Sequence, residues 1–495
     1  MMKKSRLSTW AAVAGIVSVA VLSSQIVEAA DTALKAIAVK VNLFAGDNEV
    51  ALDKDAVTID GSLYVPVRAM GEALGQHVAW DNASKKVTIR EYPFVEGKYT
   101  WTNAPDLGLG LKEGGFSGLL HMPGDPDDVF YTLADRGPNG QITIDKTVNR
   151  TFPVQDYVPR FYKIRLEDGK VTILETTKLL LPEGTKGAVS GNRNTTGLSN
   201  IASDEKSYDN TGTKLLTLDP DGLDLEGIAY SPSDDTLWMA DEYRPSLIQL
   251  KRDGTIISRY VPVGDKAKLT GAQIPIVEAI PAIYSKRIVN RGFEGVTISP
   301  DGKYLYASIQ SPMAVPDKAT GEASRNLRIL KMDLATKKII GEYVYVAEDA
   351  KTFMNVSQKD VVISDLHALS TDVLLVDERD KNEGAAAQIK RVYKIDLSKA
   401  TNILNNADVS GNAEGLSGEN LKSAGVATAP KSLILDLTKL GYPWEKFEGL
   451  TVLNKNTILV ANDNDFGVGE YDANGVLKVT DKQTQVWEIK VKNLW

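Results

Sequence analysis

The sequence predicts an all-β chain whose main body is a β-propeller of five countable blades, preceded by a small α+β domain. Three observations carry this. Five segments after residue 94 open an apolar strand with the same short pattern. Each is followed, after a turn, by a second apolar strand ending in polar residues. Four short strands per unit recur at a spacing of roughly 70 residues, the signature of blades with long loops. The 495 residues are too many for one ordinary core, and 40 glycines and 20 prolines suit a chain that turns often.

The first thirty residues stand apart. Lys3, Lys4 and Arg6 precede an apolar run from Trp10 to Leu22, and Val27-Glu28-Ala29 offers a small-residue cleavage site. This is the layout of a secretory signal peptide over residues 1–29, and the run is short for a spanning helix. The chain is therefore expected to be secreted or held at the cell envelope. The net charge of −8 becomes about −10 once those residues leave. Such a balance argues against a nucleic-acid partner. With no cysteine, stability must come from buried core or bound metal.

Residues 35–91 read as a compact unit. A strand over Ile37–Leu43 precedes a hairpin, Ala56–Ile59 with Leu63–Val65, turning at Asp60-Gly61. Pro66 opens a helix from Val67 to Leu74 that Gly75 stops, and Val78–Trp80 with Lys86–Ile89 forms a second hairpin. The runs Tyr64-Val65-Pro66-Val67-Arg68 and Val78-Ala79-Trp80-Asp81 resemble the copper amine oxidase N-terminal-like domain of exported proteins. One histidine, His77, supplies a copper site poorly, so the expected role is an accessory module making cell-envelope contact.

The propeller is expected over residues 94–495. Its strand starts are Phe116-Ser117-Gly118-Leu119, Leu225-Glu226-Gly227-Ile228, Phe293-Glu294-Gly295-Val296, Ser364-Asp365-Leu366-His367 and Phe447-Glu448-Gly449-Leu450. The second strands end at Ala134-Asp135-Arg136, Ala240-Asp241-Glu242, Ala307-Ser308-Ile309, Val376-Asp377-Glu378 and Ala461-Asn462-Asp463. The last unit supplies three clear strands, so the segment near Tyr99–Thr102 is expected to complete it and close the ring. Residues 181–221 are polar and glycine-rich and read as an insertion. A sixth blade would require strands hidden there, and the alternative architecture is a pair of β-sandwiches.

Propeller geometry places the innermost strands around one channel, with antiparallel second strands returning to the same mouth. On this reading Glu226, Asp241, Glu294, Asp365, Asp377, Glu448 and Asn462 converge there as metal ligands. So many carboxylates cannot all ionise together without a cation or raised pKa values. Oxygen donors without cysteine favour a hard ion, and calcium is the expected cofactor. The alternative for each acid is to hold backbone amides of a turn or neighbouring blade. Arg136, Arg244, Arg291 and Arg379 lie close in sequence to these acids and could grip a small anionic substrate, or simply pair with the acids. His367 lies two residues after Asp365 and is expected on its side of the strand, as a base or a core histidine. Asn462-Asp463-Asn464-Asp465 with Gly467 has the flavour of a calcium loop without the EF-hand spacing.

The runs Glu226-Gly227-Ile228-Ala229, Ala240-Asp241-Glu242-Tyr243-Arg244, Phe293-Glu294-Gly295-Val296 and Val376-Asp377-Glu378-Arg379 resemble the esterase-like phytase family, over nearly all of residues 94–495. That resemblance implies a metal-dependent phosphoester hydrolase acting on a propeller, with Glu226, Glu294, Arg244 and His367 as the residues expected to do chemistry. The Glu-Gly strand starts also resemble gluconolactonase-type propellers, and a binding or sensor propeller is the third class. A monomer is expected.

Overall fold

The computed structural model describes residues 36–45, 48–50, 52, 54–144, 146–201, 205–472 and 476–495. The signal-peptide reading falls outside the described residues. The chain divides into two compact units, one ending at Phe94 and the other spanning Val95–Trp495.

The N-terminal unit follows the sequence closely. Ile37–Val39 pairs antiparallel with Ala56–Ile59, which turns back as Ser62–Tyr64. Asp60 and Gly61 both have positive φ, +48° and +77°, the primed hairpin geometry that matches strand twist. A helix, Val67–Ala73, starts after Pro66. Gly71 faces Val78 so closely that a side chain there would collide with it, which lets the helix press on the hairpin Gln76–Asp81 with Lys86–Glu91. His77 is enclosed by the rings of Tyr92 and Phe94.

The larger unit is a five-bladed propeller. Blade 1 consists of Phe116–Leu120, Val129–Ala134, Arg160–Glu167 and Lys170–Lys178; blade 2 of Leu225–Ser231, Thr236–Asp241, Ser246–Lys251 and Ile256–Pro262. Blade 3 runs through Phe293–Ile298, Tyr304–Ile309, Asn326–Asp333 and Lys338–Val346; blade 4 through Val362–Ala368, Val373–Arg379, Lys390–Asp396 and Lys431–Asp436. Blade 5 supplies Gly449–Asn454, Thr457–Ala461 and Gln485–Lys490 itself, and takes its outer strand, Phe94–Thr100, from the start of the unit. The first and last segments are thus stitched into one blade. The insertion over 181–221 contributes only Ser207–Asp209, which extends a small sheet beside blade 1, so no sixth blade arises among the described residues.

The ring closes through close backbone approach. A Cβ on Gly118 would lie 3.1 Å from the carbonyl of Glu226, one on Gly227 would lie 2.7 Å from that of Glu294, and one on Gly449 would lie 3.0 Å from the Cβ of Leu119. The glycine after each strand-start acid is therefore the contact point of neighbouring innermost strands. Five buried apolar clusters fill the five blade junctions. Phe293 and Val296 meet Trp238 and Leu247 in one, and Ile363 and Leu366 meet Leu327 and Ile329 in the next. Leu225 and Ile228 meet Leu133, Phe116 and Leu119 meet Leu459, and Leu450 meets Leu375 in the others. With one core per junction, the ring has no open seam.

Candidate functional site

The innermost strands of blades 1 to 4 begin with a one-residue bulge, and the paired positions on either side of it fix equivalence between those blades, with Phe447 and Leu450 in their junction core placing blade 5. Phe116, Leu225, Phe293 and Ile363 occupy one position, and the residue three further on, from Leu119 to Leu366, packs into the same junction core. The ring of strand-start side chains is therefore Ser117, Glu226, Glu294, Ser364 and Glu448. Asp365 is not the fourth member of that ring; it stands at the glycine position of blade 4. Its Oδ2 accepts from Leu450 N at 2.8 Å across the seam to blade 5, and its Oδ1 accepts from Leu366 N at 2.8 Å.

Three further residues named from the sequence, two acids and an amide, are spent on structure in the same way. Asp241 accepts from the Asp224 and Tyr243 amides through Oδ1, and from Ser246 and Arg259 through Oδ2. Asp377 Oδ1 accepts from Ser364 N at 2.7 Å and Asp365 N at 2.6 Å, holding the start of the blade 4 strand. Asn462 bridges backbone, donating to Gln483 O and accepting from Gln485 N.

The acids left over do converge. Oxygens of Asp135, Asp224 and Glu226 lie within 4.8 Å of one another. Asp224 is fully buried, and its Oδ1 has no hydrogen-bond partner among the described residues, while Oδ2 lies 3.0 Å from Arg136 Nη1. Glu242 Oε1 and Glu294 Oε2 are likewise buried without partners. Burial, and then the charges of Glu294, Asp224, Glu242 and Glu448, hold the Glu226 carboxyl well above its usual range. Burial and the Asp463 and Asp224 charges do the same for Asp135. Burial followed by Glu242 and Glu448 raises Glu294, and Glu242 itself is pushed up to about 8 by burial and Asp224.

The far side of the ring carries its own cations. Lys446 Nζ is 2.8 Å from Asp465 and 3.9 Å from Glu448, and also pairs with Asp463. Arg379 Nη2 donates to Glu448 Oε1 at 2.6 Å. Buried carboxylate oxygens without a hydrogen-bond partner among the described residues occur at Asp224, Glu242 and Glu294 on the blade 1 to blade 3 arc, and at Asp377 and Glu448 across the ring. Buried oxygen donors that outnumber the cations beside them, Arg136 on Asp224 included, form a donor set suited to a hard divalent cation such as calcium.

The basic residues divide. Arg136 is fixed by Asp224 and by Asn290 Oδ1 at 2.6 Å. Arg244 forks onto Asp265 at 2.9 and 3.1 Å and so is held away from the acids. Arg291 and Arg379 stay at the acidic mouth. His367 lines a cavity of about 240 Å³ with His121, Tyr230 and Thr297, formed by later residues of the innermost strands, toward the opposite end of the channel from the strand-start acids. Burial, then the charge of His121, lowers its pKa to about 4. Asp224 and Glu242 escaped the sequence reading although each flanks a residue it singled out; Asp224 lies two residues before Glu226, a spacing that should have drawn it in.

Residues 24–92 match the copper amine oxidase N-terminal domain, and residues 112–466 match the phytase-like family described as esterase-like activity of phytase. An uncharacterized secreted protein of Arthroderma benhamiae is 28% identical over 318 residues, 55% of this chain and 58% of that protein. The chain thus spans less than two-thirds of that relative's length. Among solved structures, the PQQ-bound aldose sugar dehydrogenase of Streptomyces coelicolor aligns at a TM-score of 0.33 and 12% identity, covering 81% of this chain and 98% of that one. The Pan2 WD40 domain of Neurospora crassa aligns at 0.30 and 12%, covering 80% and 95%. The family match covers blades 1 to 4 and the first two strands of blade 5, from just before the first innermost strand to the turn after Asp463; the chain belongs to the phytase-like family, esterase-like activity of phytase.

Proposed function

We propose that the protein is an exported, calcium-dependent hydrolase of small phosphoesters, acting at the acidic mouth of the propeller. The observation that carries this is the group Asp135, Asp224 and Glu226, with ligand oxygens within 4.8 Å and a buried, unpartnered Asp224 oxygen. These three residues would hold the cation, with Glu294 as a further donor whose Oε2 is buried without a partner. A divalent ion there would polarise a phosphoryl oxygen and acidify an attacking water. The chain's own groups do the rest. Arg136 pairs with Asp224 and opposes the burial that raises its carboxyl above the usual range. Glu242, protonated up to about pH 8, is the group suited to donate a proton to a leaving oxygen. Arg244 and His367 drop out of the proposed chemistry, because one is bound to Asp265 and the other faces the opposite end of the channel. Export is supported by the leader-like first 29 residues and by the secreted relative.

The test is hydrolysis of a small phosphomonoester and of a lactone of similar size, with calcium and with chelator. Calcium-dependent release of phosphate supports the proposal. Turnover of the lactone alone would replace it with a lactonase reading, and turnover of neither with several metals would leave a binding propeller.

A further inference from the structure

The end of the channel away from the acids holds the cavity of about 240 Å³, and its chemistry is the reverse of theirs. All five innermost strands line it, through Leu120, Tyr230, Thr297, His367 and Val452, so it sits at the centre of the ring. No carboxylate, ammonium or guanidinium is among its lining residues. Pro123, Pro232 and Pro300 also line it, each six residues after the strand-start position of its blade. Proline carries no N–H, so these three positions present rigid apolar rings and no backbone donor.

The hydroxyls of the lining are engaged within the chain. Tyr230 donates to Asp235 Oδ1 at 2.9 Å. Thr297 Oγ1 accepts from Ala368 N at 3.0 Å, and Ser299 Oγ donates to Asp301 Oδ1 at 2.6 Å while accepting from Tyr304 N at 3.0 Å. The two imidazoles are the exception. His121 Nε2 lies 3.3 Å from the carbonyl of Pro126, which can only accept, so the proton is on Nε2 and Nδ1 keeps its lone pair. The His367 ring makes no hydrogen bond among the described residues. Burial first, then the charge of His121, keeps it neutral down to about pH 4, so it offers one donor and one acceptor.

Such a cavity has nothing with which to compensate a charge, and a carboxylate, phosphate or ammonium entering it would lose its hydration without return. An apolar ring gains by leaving water, and a hydroxyl, which both donates and accepts, matches the two imidazoles. The volume agrees: roughly 150 Å³ is enough to hold benzene, so about 240 Å³ takes a single ring with a substituent.

We propose that this cavity is a second binding site, separate from the acidic mouth, for a small neutral molecule with one ring and a hydroxyl group, of the phenol or cyclic-alcohol class, anchored by His121 and His367. The site goes beyond the hydrolase reading and does not depend on it, and it gives His367 a role that the mouth does not.

The experiment is calorimetric titration of phenol and of cyclohexanol into the full chain in chelator, with benzene and benzoate as controls. Wild type is compared with His121→Leu and His367→Leu. Wild type should bind phenol at least fivefold more tightly than benzene and leave benzoate unbound, and each variant should lose at least fivefold in phenol affinity. A second reading needs no variant to fold. The chain has three histidines, His77, His121 and His367, so the imidazole resonances of a histidine-labelled sample are few. Phenol should move those of His121 and His367 and leave that of His77 in place. Equal phenol affinity in wild type and both variants, or no shift of either cavity imidazole, overturns the proposal. Zinc or nickel binding that needs both histidines, with no binding of phenol or cyclohexanol, also overturns it and makes the cavity a transition-metal site. Calcium-dependent phosphate release without phenol binding would overturn this site and leave the hydrolase reading standing. Phenol binding at the two imidazoles without any hydrolysis would do the reverse.

Discussion

Glu226→Gln separates a metal site from a merely crowded acid cluster, because its effect changes sign with calcium. The oxygens of Asp135, Asp224 and Glu226 lie within 4.8 Å. At an effective dielectric near 20, each ionised pair at that distance costs ~3.5 kcal/mol. That is about 2.5 pH units per pair, enough to keep a proton on the cluster at neutral pH. Glu226, Asp135 and Glu294 all sit well above the usual carboxylate range, with Glu242 at about 8, burial being the first cause in each. Between about pH 4.5 and those values the folded state holds protons that the unfolded chain has released. Metal-free stability therefore falls as pH rises through that window. Calcium must displace the protons, so its stabilising effect should grow over the same window. At a calcium concentration of a hundred times Kd the gain is about 2.7 kcal/mol, or roughly 3 °C for a unit of this size. Glutamine mimics the protonated carboxyl, so the variant should match wild type near pH 6 in chelator, exceed it near pH 8, and gain nothing from calcium. Thermal unfolding of both proteins at pH 5.5, 7 and 8.5 reads all three. An equal calcium gain in the variant, or a wild-type gain that shrinks as pH rises, would refute the reasoning.

Three further outcomes are expected. Arg244→Ala should destabilise by about 3 kcal/mol, because Asp265 loses a buried bidentate partner, while kcat stays within twofold of wild type; a large loss of kcat at normal stability would return Arg244 to the chemistry. Asp365→Ala strips the buried amides of Leu366 and Leu450 of their acceptor and should cost roughly 2–5 kcal/mol in denaturant unfolding, with calcium affinity unchanged. His367, held at about 4 against about 6.5 unfolded, contributes stability that is complete above pH 6.5 and lost as pH falls toward 4. The full shift is worth at most ~3 kcal/mol, and less where water enters its cavity; His367→Gln should flatten the difference in urea midpoint between pH 7 and 4.5.

The blade pattern was legible because it is periodic and apolar, and strand packing leaves little choice once the period is seen. The closing strand was also legible: an incomplete last blade demanded a partner, and Phe94–Thr100 supplies it slightly earlier than the Tyr99–Thr102 segment. Blade 4 misled because Ser364-Asp365 offers two alignments to a motif of acid then glycine. Matching the acid selects Asp365, whereas matching the apolar pair three residues apart, Ile363 and Leu366, selects Ser364. Packing wins, since the junction core fixes the strand and the polar residue takes whatever position remains. The partner of Arg244 was illegible for another reason. Asp265 follows the whole outer half of blade 2 and meets Arg244 only through the fold.

One consequence of the true register bears on how the site arises. Five equivalent positions at the strand starts hold two serines and three glutamates, and the supporting cations are distributed unevenly around them. Glu448 is flanked by Arg379 and Lys446, so its charge is answered from within the chain. Ser117 and Ser364 bring no charge. Among the described residues Glu226 and Glu294 make no ion pair; a side-chain amide, Gln310, donates to Glu294. Asp135, Asp224 and Glu242 approach from the ends of neighbouring strands. The closed ring makes all five positions converge, but convergence alone would not create a metal site, because acids with internal counter-ions are already satisfied. The cation site proposed above would fall on the arc where carboxylates outnumber cations, Arg136 on Asp224 included. Arg379 lies beside that arc: one nitrogen pairs with Glu448 and another has no partner among the described residues. Carboxylates and an incompletely paired guanidinium thus share one mouth, and the proposed phosphoester reading rests on that pairing.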